Sequence, residues 1–361
     1  MDERIRSALL RVGRLLVQPG GAATLVPPRL GEEGFWFGGG NMTRGADGAL
    51  WLVGRYRNGG DSRTGVEAGP RGAELALLTS KDEGRSFQPA FSFLKGDLAC
   101  EGEEVLSIEG ASLCSGRKGV ELYVSSEKKR SYPERVRSLQ KAGTGVWSVD
   151  VLAAQGFDGL KGAPVRRALR SEEPAWLHVK DPVVFDMAGR RTMLYCCHPY
   201  CWSSSNTGCA TAEGPRGGWV SRSRSILERG PAWDVAVFRV TARLPLPAVG
   251  VLKGCGGVSL YFYDGAECIH KHEGSHPKGY SCEEIGGLAA GLDEEFPRIE
   301  RLSVEGALFV SPHGTGCNRY VSVFEGEDYY LATWQQSQPD RSQPLVSKRT
   351  PKAEVEALLA E

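Results

Sequence analysis

The sequence has no net charge of either sign: 44 Lys and Arg balance 44 Asp and Glu over 361 residues. That excludes a polyanion-binding surface built from overall charge, so no nucleic-acid partner is expected. It also lacks a run of 18 apolar residues, the length a membrane span requires, and no membrane association is expected. The N-terminal stretch MDERIRSALLRVGRLLVQPGG mixes acids with arginines and has no apolar core, so it does not read as a secretory signal; the expected compartment is the cytoplasm. The ten cysteines are scattered, as free thiols in a reducing compartment are, with one local cluster. In that cluster (Cys196, Cys197, His198, Cys201, Cys209) only Cys197 and Cys201 have zinc-like spacing and no second pair follows, so no metal is expected. Nucleotide-binding glycine loops and a hydrolase elbow are missing too. GGGN at 38–41 leads into a strand and not a helix, so no cofactor is implied.

Glycine, by contrast, is abundant: 47 residues, about 13% against a usual ~7%. Glycine excess without a collagen period fits many tight turns between short strands. The chain repeats itself. Ala49–Val53, Glu121–Val124, Met193–Cys196, Ser259–Phe262 and Tyr330–Thr333 each centre on a leucine in a β-prone run. The leucines (Leu50, Leu122, Leu194, Leu260, Leu331) are spaced by 72, 72, 66 and 71 residues. A short turn precedes each run: GADG, SGRKG, DMAGRR, GCGG and EGED. Strand, tight turn, strand, repeated at this period, predicts an all-β, five-bladed β-propeller with four-stranded blades. The blades fall at roughly 30–100, 101–172, 173–244, 245–305 and 306–350 of one domain. Leu15–Val17 or Ala23–Val26 would close the last blade and remove an exposed edge, and PKAEVEALLAE would form a C-terminal helix. The polar, basic stretch 127–146 reads as a long exposed loop.

Propeller inner strands surround one axis, and loops at one end carry sites. The inner-strand starts read as Asn41, Glu109, Asp181, Lys253 and Asn318. The second-strand ends add Arg55, Arg57, Cys197, His198, Tyr263, Asp264, Trp334 and Gln335, and the loop after Arg57 adds Asp61 and Arg63. So many charges need partners or water, which a wet axial pocket supplies. Carboxylates in a cleft, with aromatics to stack on a sugar, are the ingredients of glycoside chemistry: one carboxyl protonates the leaving oxygen and another activates water or attacks carbon. The candidate catalytic residues are Glu109, Asp181 and Asp61. Candidate substrate-binding residues are Asn41, Arg55, Arg57, Lys180, His198, His313, Asn318, Arg319 and Trp334. Structural alternatives stand beside several of these: turn capping for Asp181 and Asp61, satisfied structural imidazoles for His198 and His313, and blade packing for Trp334.

Five repeats, inner-strand acids and Lys180-Asp181-Pro182-Val183-Val184-Phe185 resemble the five-bladed propeller glycoside hydrolases. That group holds arabinanases, β-xylosidases, invertase-like fructosidases and mannoside phosphorylases. The resemblance implies a carbohydrate substrate, and it gives the Asp of D-P-x-x-F the role of orienting the acid or stabilising the transition state. Those families carry Asp at the start of the first inner strand, where this chain has Asn41. The segment Ser80-Lys81-Asp82-Glu83-Gly84-Arg85-Ser86-Phe87 resembles the Asp-box of sialidase-type propellers, and Arg55, Arg57, Arg63 and Arg319 resemble the arginines with which sialidases grip a carboxylate. The expected function is therefore a glycoside hydrolase acting on a terminal or short-chain sugar. The alternatives are a sialidase-like hydrolase of an anionic sugar and a non-catalytic glycan- or protein-binding propeller.

Overall fold

A computed structural model describes residues 1–57, 72–116, 119–213, 218–268 and 283–361. It begins with helix α1 (Glu3–Leu16), which Asp2 caps by accepting the Ile5 N–H at 2.9 Å. Next comes strand β1 (Ala23–Val26). Blade I holds β2 (Trp36–Gly38), β3 (Met42–Arg44), β4 (Leu50–Arg57), β5 (Glu74–Ser80) and β6 (Gln88–Leu94); β2 and β3 both pair with β4 and share the inner position. Blade II holds β7 (Val105–Gly116), β8 (Gly119–Lys128), β9 (Val146–Ala154) and β10 (Arg166–Leu169). Blade III holds β11 (His178–Met187), β12 (Arg190–His198), β13 (Asn206–Ala212) and β14 (Trp219–Ser223). Blade IV holds β15 (Val237–Leu246), β16 (Val258–Ala266), β17 (Ile285–Leu292) and β18 (Glu300–Arg301). In blade V, β19 (Asn318–Glu325), β20 (Tyr329–Gln336) and β21 (Leu345–Pro351) are joined by β1, which pairs with β21. Helix α2 (Lys352–Ala360) follows. The chain is an all-β, five-bladed propeller of four-stranded antiparallel sheets.

The repeated leucines explain the packing. Leu50, Leu122, Leu194, Leu260 and Leu331 are all at most 2% exposed, and each second strand sits between two neighbouring sheets. Cores lie between successive blades. Leu77 and Val53 meet Leu113 and Leu122, Val149 and Tyr123 meet Val184 and Met193, and Leu194 and Cys209 meet Phe238 and Tyr261. The ring closes where Tyr329, Leu331 and Val26 of blade V meet Phe37, Leu50 and Phe87 of blade I. Full burial of each such side chain is worth about 1.5–3 kcal/mol. The turn leading to Phe87 is tied by Asp82, whose carboxylate accepts from Ser80 Oγ (2.7 Å), Ser86 N–H (3.0 Å) and Ser86 Oγ (2.6 Å).

The structure differs from the sequence reading in three places. Leu15 and Leu16 belong to α1 and not to a strand; Ala8, Leu9, Val12 and Leu16 form one apolar stripe that packs on blades IV and V beside Trp334. Blade IV begins with β15 at Val237, ahead of the expected boundary at 245, and exposed Lys253 lies in the connection after the short turn Gly250–Leu252. The connection between β8 and β9 is folded: Glu134–Leu139 form a 3-10 turn, and Tyr132 and Val136 are buried beside Leu177.

Candidate active site

Inner strands β7, β11 and β19 each carry a bulge at the same level, between Ile108 and Ala111, Lys180 and Val183, and Arg319 and Ser322. The extra residue re-aims side chains toward the axis. Glu109, Asp181 and Tyr320 begin these bulges, and Asp181 (φ 51°) and Tyr320 (φ 54°) adopt the left-handed backbone that β-strands avoid. The bulges separate two axial cavities. The larger, about 560 Å³, is lined by Trp36, Arg55, Arg57, Glu109, Trp147, Lys180, His198, Trp202, Arg239, Glu284, Arg319 and Tyr320, among others. The smaller, about 110 Å³, is lined by Asn41, Gly110, Asp181 and Tyr320, among others.

Six of the expected residues therefore meet in one cavity: Arg55, Arg57, Glu109, Lys180, His198 and Arg319. Glu109 receives Arg55 Nη2 at 3.0 Å and lies 3.8 Å from Lys180 Nζ. The same ammonium lies 3.8 Å from Asp181 Oδ2, so the two carboxylates are separated by no more than twice that distance at their nearest oxygens. Asp181 lies beneath the larger cavity, only 5% exposed, and its oxygens are engaged. Oδ1 accepts the Gly110 N–H at 3.0 Å, and Oδ2 accepts from Arg239 Nη1 at 3.1 Å and the Tyr320 hydroxyl at 3.4 Å.

The other expected residues do not line the larger cavity. Asn41 clamps blade I to blade II, donating to the Leu113 carbonyl (2.9 Å) and accepting the Leu113 N–H (2.7 Å). Trp334 is fully buried against α1, with its Nε1–H on Gln336 at 2.8 Å. No residue of β20 lines either cavity. Asn318 is fully buried at the start of β19, and its N–H donates to the Glu284 carbonyl at 3.1 Å. His313 sits exposed in a turn, where its N–H donates to Ser311 Oγ at 3.1 Å. Asp61 and Arg63 lie outside the described residues. Among those described, no three His, Cys, Asp or Glu side chains converge as metal ligands do.

Sequence reasoning missed Arg239, Glu284, Tyr320, Trp36, Trp147 and Trp202. Arg239 is the centre of the charge network: it reaches Asp181, Asp264 Oδ2 (2.7 Å) and Glu284 Oε1 (2.9 Å). Glu284, just before β17, also accepts from Arg319 Nη1. Burial opposes ionisation of Glu284, but Arg239 and Arg319 prevail and hold it well below the usual carboxylate range. Burial pushes Asp264 in the same direction, and there it prevails over the pull of Arg239 and leaves the carboxyl raised. Arg57 and Arg319 stack on Trp36, at 4.5 and 4.2 Å from its ring. Burial, with Lys180 adding, pushes His178 down to about 3 and His198 well below the ordinary imidazole range, so both are neutral. His198 Nδ1–H donates to the Ser204 carbonyl (3.0 Å) and Nε2 faces the Cys196 thiol (3.3 Å), which leaves neither nitrogen for a substrate.

No protein-family model matches the sequence, and no curated protein matches it. Solved structures share its fold at low identity. An α-L-arabinofuranosidase from Lactobacillus brevis is 10% identical, with 93% of this chain and 97% of that chain covered and a TM-score of 0.55. A family 117 glycoside hydrolase from Zobellia galactanivorans is 12% identical, with 92% and 90% covered and a TM-score of 0.54. A β-1,2-mannobiose phosphorylase from Listeria innocua is 12% identical, with 93% and 96% covered and a TM-score of 0.56. The chain is thus similar in fold to the five-bladed-propeller glycoside hydrolases.

Proposed function

We propose that the chain is a glycoside hydrolase that cleaves a terminal or short-chain sugar in the larger axial cavity. The observation that carries this is a pair of glutamates, Glu109 and Glu284, opening on one cavity and each held by its own cations. Glu284, kept ionised by Arg239 and Arg319, serves as the base or nucleophile. Glu109, the less tightly paired of the two, with one guanidinium at 3.0 Å and an ammonium at 3.8 Å, is assigned the proton transfer to the leaving oxygen. Asp181 is a positioning residue: through Lys180 and Arg239 it fixes the cations that face both glutamates. Arg55, Arg57 and Lys180 hydrogen-bond substrate hydroxyls. Similarity of fold to glycoside hydrolases supports this chemistry.

A second reading, an anionic sugar, is favoured by the gathering of Arg55, Arg57 and Arg319 about Trp36. Arg55 and Arg319 are each already paired with a glutamate, so the neutral sugar is preferred. The test is turnover of neutral and acidic aryl glycosides, with and without inorganic phosphate. Release from a neutral glycoside without phosphate is expected, and release from acidic members alone would replace it with the second reading. Saturable sugar binding without product would make this a binding propeller.

A further inference from the structure

The tryptophans of this end of the molecule have different surroundings. Trp36 is surrounded by three guanidiniums, Trp147 is 6% exposed with the Lys180 ammonium 5.6 Å from its ring, and Trp334 is core. Trp202 alone of these four is half-buried while lining the larger cavity. It also has a left-handed backbone, φ 54°, which a bulky aromatic rarely adopts. The conformation is held from several sides. The Trp202 N–H donates to the Pro199 carbonyl at 3.0 Å, the Tyr200 N–H to the Pro174 carbonyl at 2.8 Å, and the Tyr132 hydroxyl to the Tyr200 carbonyl at 3.3 Å. Backbone strain maintained by so many contacts is a mark of function.

The indole rests on two imidazoles. His178 and His198, cross-strand partners on β11 and β12, lie 4.3 and 4.4 Å from it, centroid to centroid, the first at 28° to its plane. Both are locked: His178 Nδ1 accepts the Trp147 N–H at 3.5 Å and Nε2 meets the Tyr132 hydroxyl at 3.2 Å, while both His198 nitrogens are engaged as described above. The stack is preorganised, with no rotamer left to order on binding. Lys180 Nζ lies 5.5 Å from the indole and 3.8 Å from Glu109. A ring placed on the indole would therefore have an edge beside the ammonium that also faces Glu109.

We propose that Trp202 is the platform on which the sugar ring stacks, and that it selects pyranoses presenting a continuous C–H face. The apolar face of such a ring covers the indole, while its hydroxyl edge meets the charges. This inference rests on the proposed glycosidase function. It assigns a task to a residue whose loop, Pro199–Ser204, lies outside the strands.

The test compares wild type with Trp202→Ala, Trp202→Phe and Glu109→Gln. It uses 4-nitrophenyl pyranosides and furanosides, with calorimetric titration of the matching methyl glycosides. Trp202→Ala should raise KM and weaken methyl glycoside binding about ten-fold, with kcat changed far less. Trp202→Phe should restore most of the affinity, and pyranosides should suffer more than furanosides. A merely structural role would lower kcat and binding of every sugar together, or move neither, and Phe would rescue neither; any of these results overturns the platform. Unchanged KM in Trp202→Ala alongside a Glu109→Gln variant slowed more on methyl than on 4-nitrophenyl glycosides would overturn the platform and leave the glycosidase. Binding without turnover in wild type would overturn the glycosidase, and the ten-fold loss of methyl glycoside affinity would then uphold or sink the platform. Absence of both binding and turnover would overturn both.

Discussion

Asp181 on β11 and Arg239 on β15 form an ion pair of 3.1 Å across the boundary between blades III and IV. The same guanidinium holds Glu284 and Asp264, so three buried carboxylates share one cation, with Arg319 and Lys180 adding positive charge at Glu284 and Asp181. A buried charge is tolerated only when paired this well. Removing one carboxylate therefore redistributes the hold on the others. Asp181→Asn should release Arg239 toward Glu284, strengthening its ionisation. The acidic limb of the pH–rate profile should move to lower pH, and turnover should fall on the order of 100-fold from misplacement of Lys180 and Arg239. An unmoved limb with near-normal turnover would remove Asp181 from the positioning network.

Glu109→Gln and Glu284→Gln should each lower kcat by about 100-fold or more, the scale of losing a general acid or base. Each substitution leaves a buried arginine without its carboxylate, so the melting temperatures should fall, and kcat is compared on folded protein well below them. Activated aryl leaving groups need little protonation, so Glu109→Gln should be milder with them than with alkyl glycosides. Equal losses on both would assign Glu109 another task.

Trp334→Ala should destabilise by about 3–5 kcal/mol, as large core truncations do. It should leave KM and kcat of the surviving folded protein within about two-fold, measured well below its melting point. Trp334 fills the core beneath α1 and does not line the cavity. A selective rise in KM would return it to the substrate site.

The neutral, buried His178 makes stability fall with acid. Its pKa is depressed to about 3 in the folded protein, so between about 6.5 and about 3 the unfolded chain binds a proton that the folded chain does not. Stability contributed by neutral His178 is present above pH 6.5 and is lost as pH falls, at up to about 1.4 kcal/mol per pH unit. His178→Gln should flatten the slope of denaturant-derived stability against pH over this window by about that amount. An unaltered slope would place His178 in a less buried state.

The blade architecture was legible because each second strand is buried between two sheets and so repeats as an apolar run about Leu50, Leu122, Leu194, Leu260 and Leu331. Glu109 was legible because the bulge sits at a fixed distance from that run. Arg239 was not: the β15–β16 connection is long enough to hold the Gly250–Leu252 turn, and counting back from Leu260 ends in it, at Lys253. Trp334 was misread because the helix α1 that covers it, with Leu9, Val12 and Leu16, was not foreseen. Glu284 belongs to the start of a third strand, where the first two strands give no register. The spacing of Ile5, Leu9, Val12 and Leu16 is that of an amphipathic helix, and it carried the signal for α1.

The most direct test of two glutamates acting across one axial cavity is a crystal structure of the Glu109→Gln variant with an uncleaved glycoside. The sugar should occupy the larger cavity with its glycosidic oxygen about 2.6–3.2 Å from the residue 109 amide and with Glu284 near its anomeric carbon. A sugar bound elsewhere on the propeller, or one in the cavity with its glycosidic bond turned away from both positions, would contradict the account.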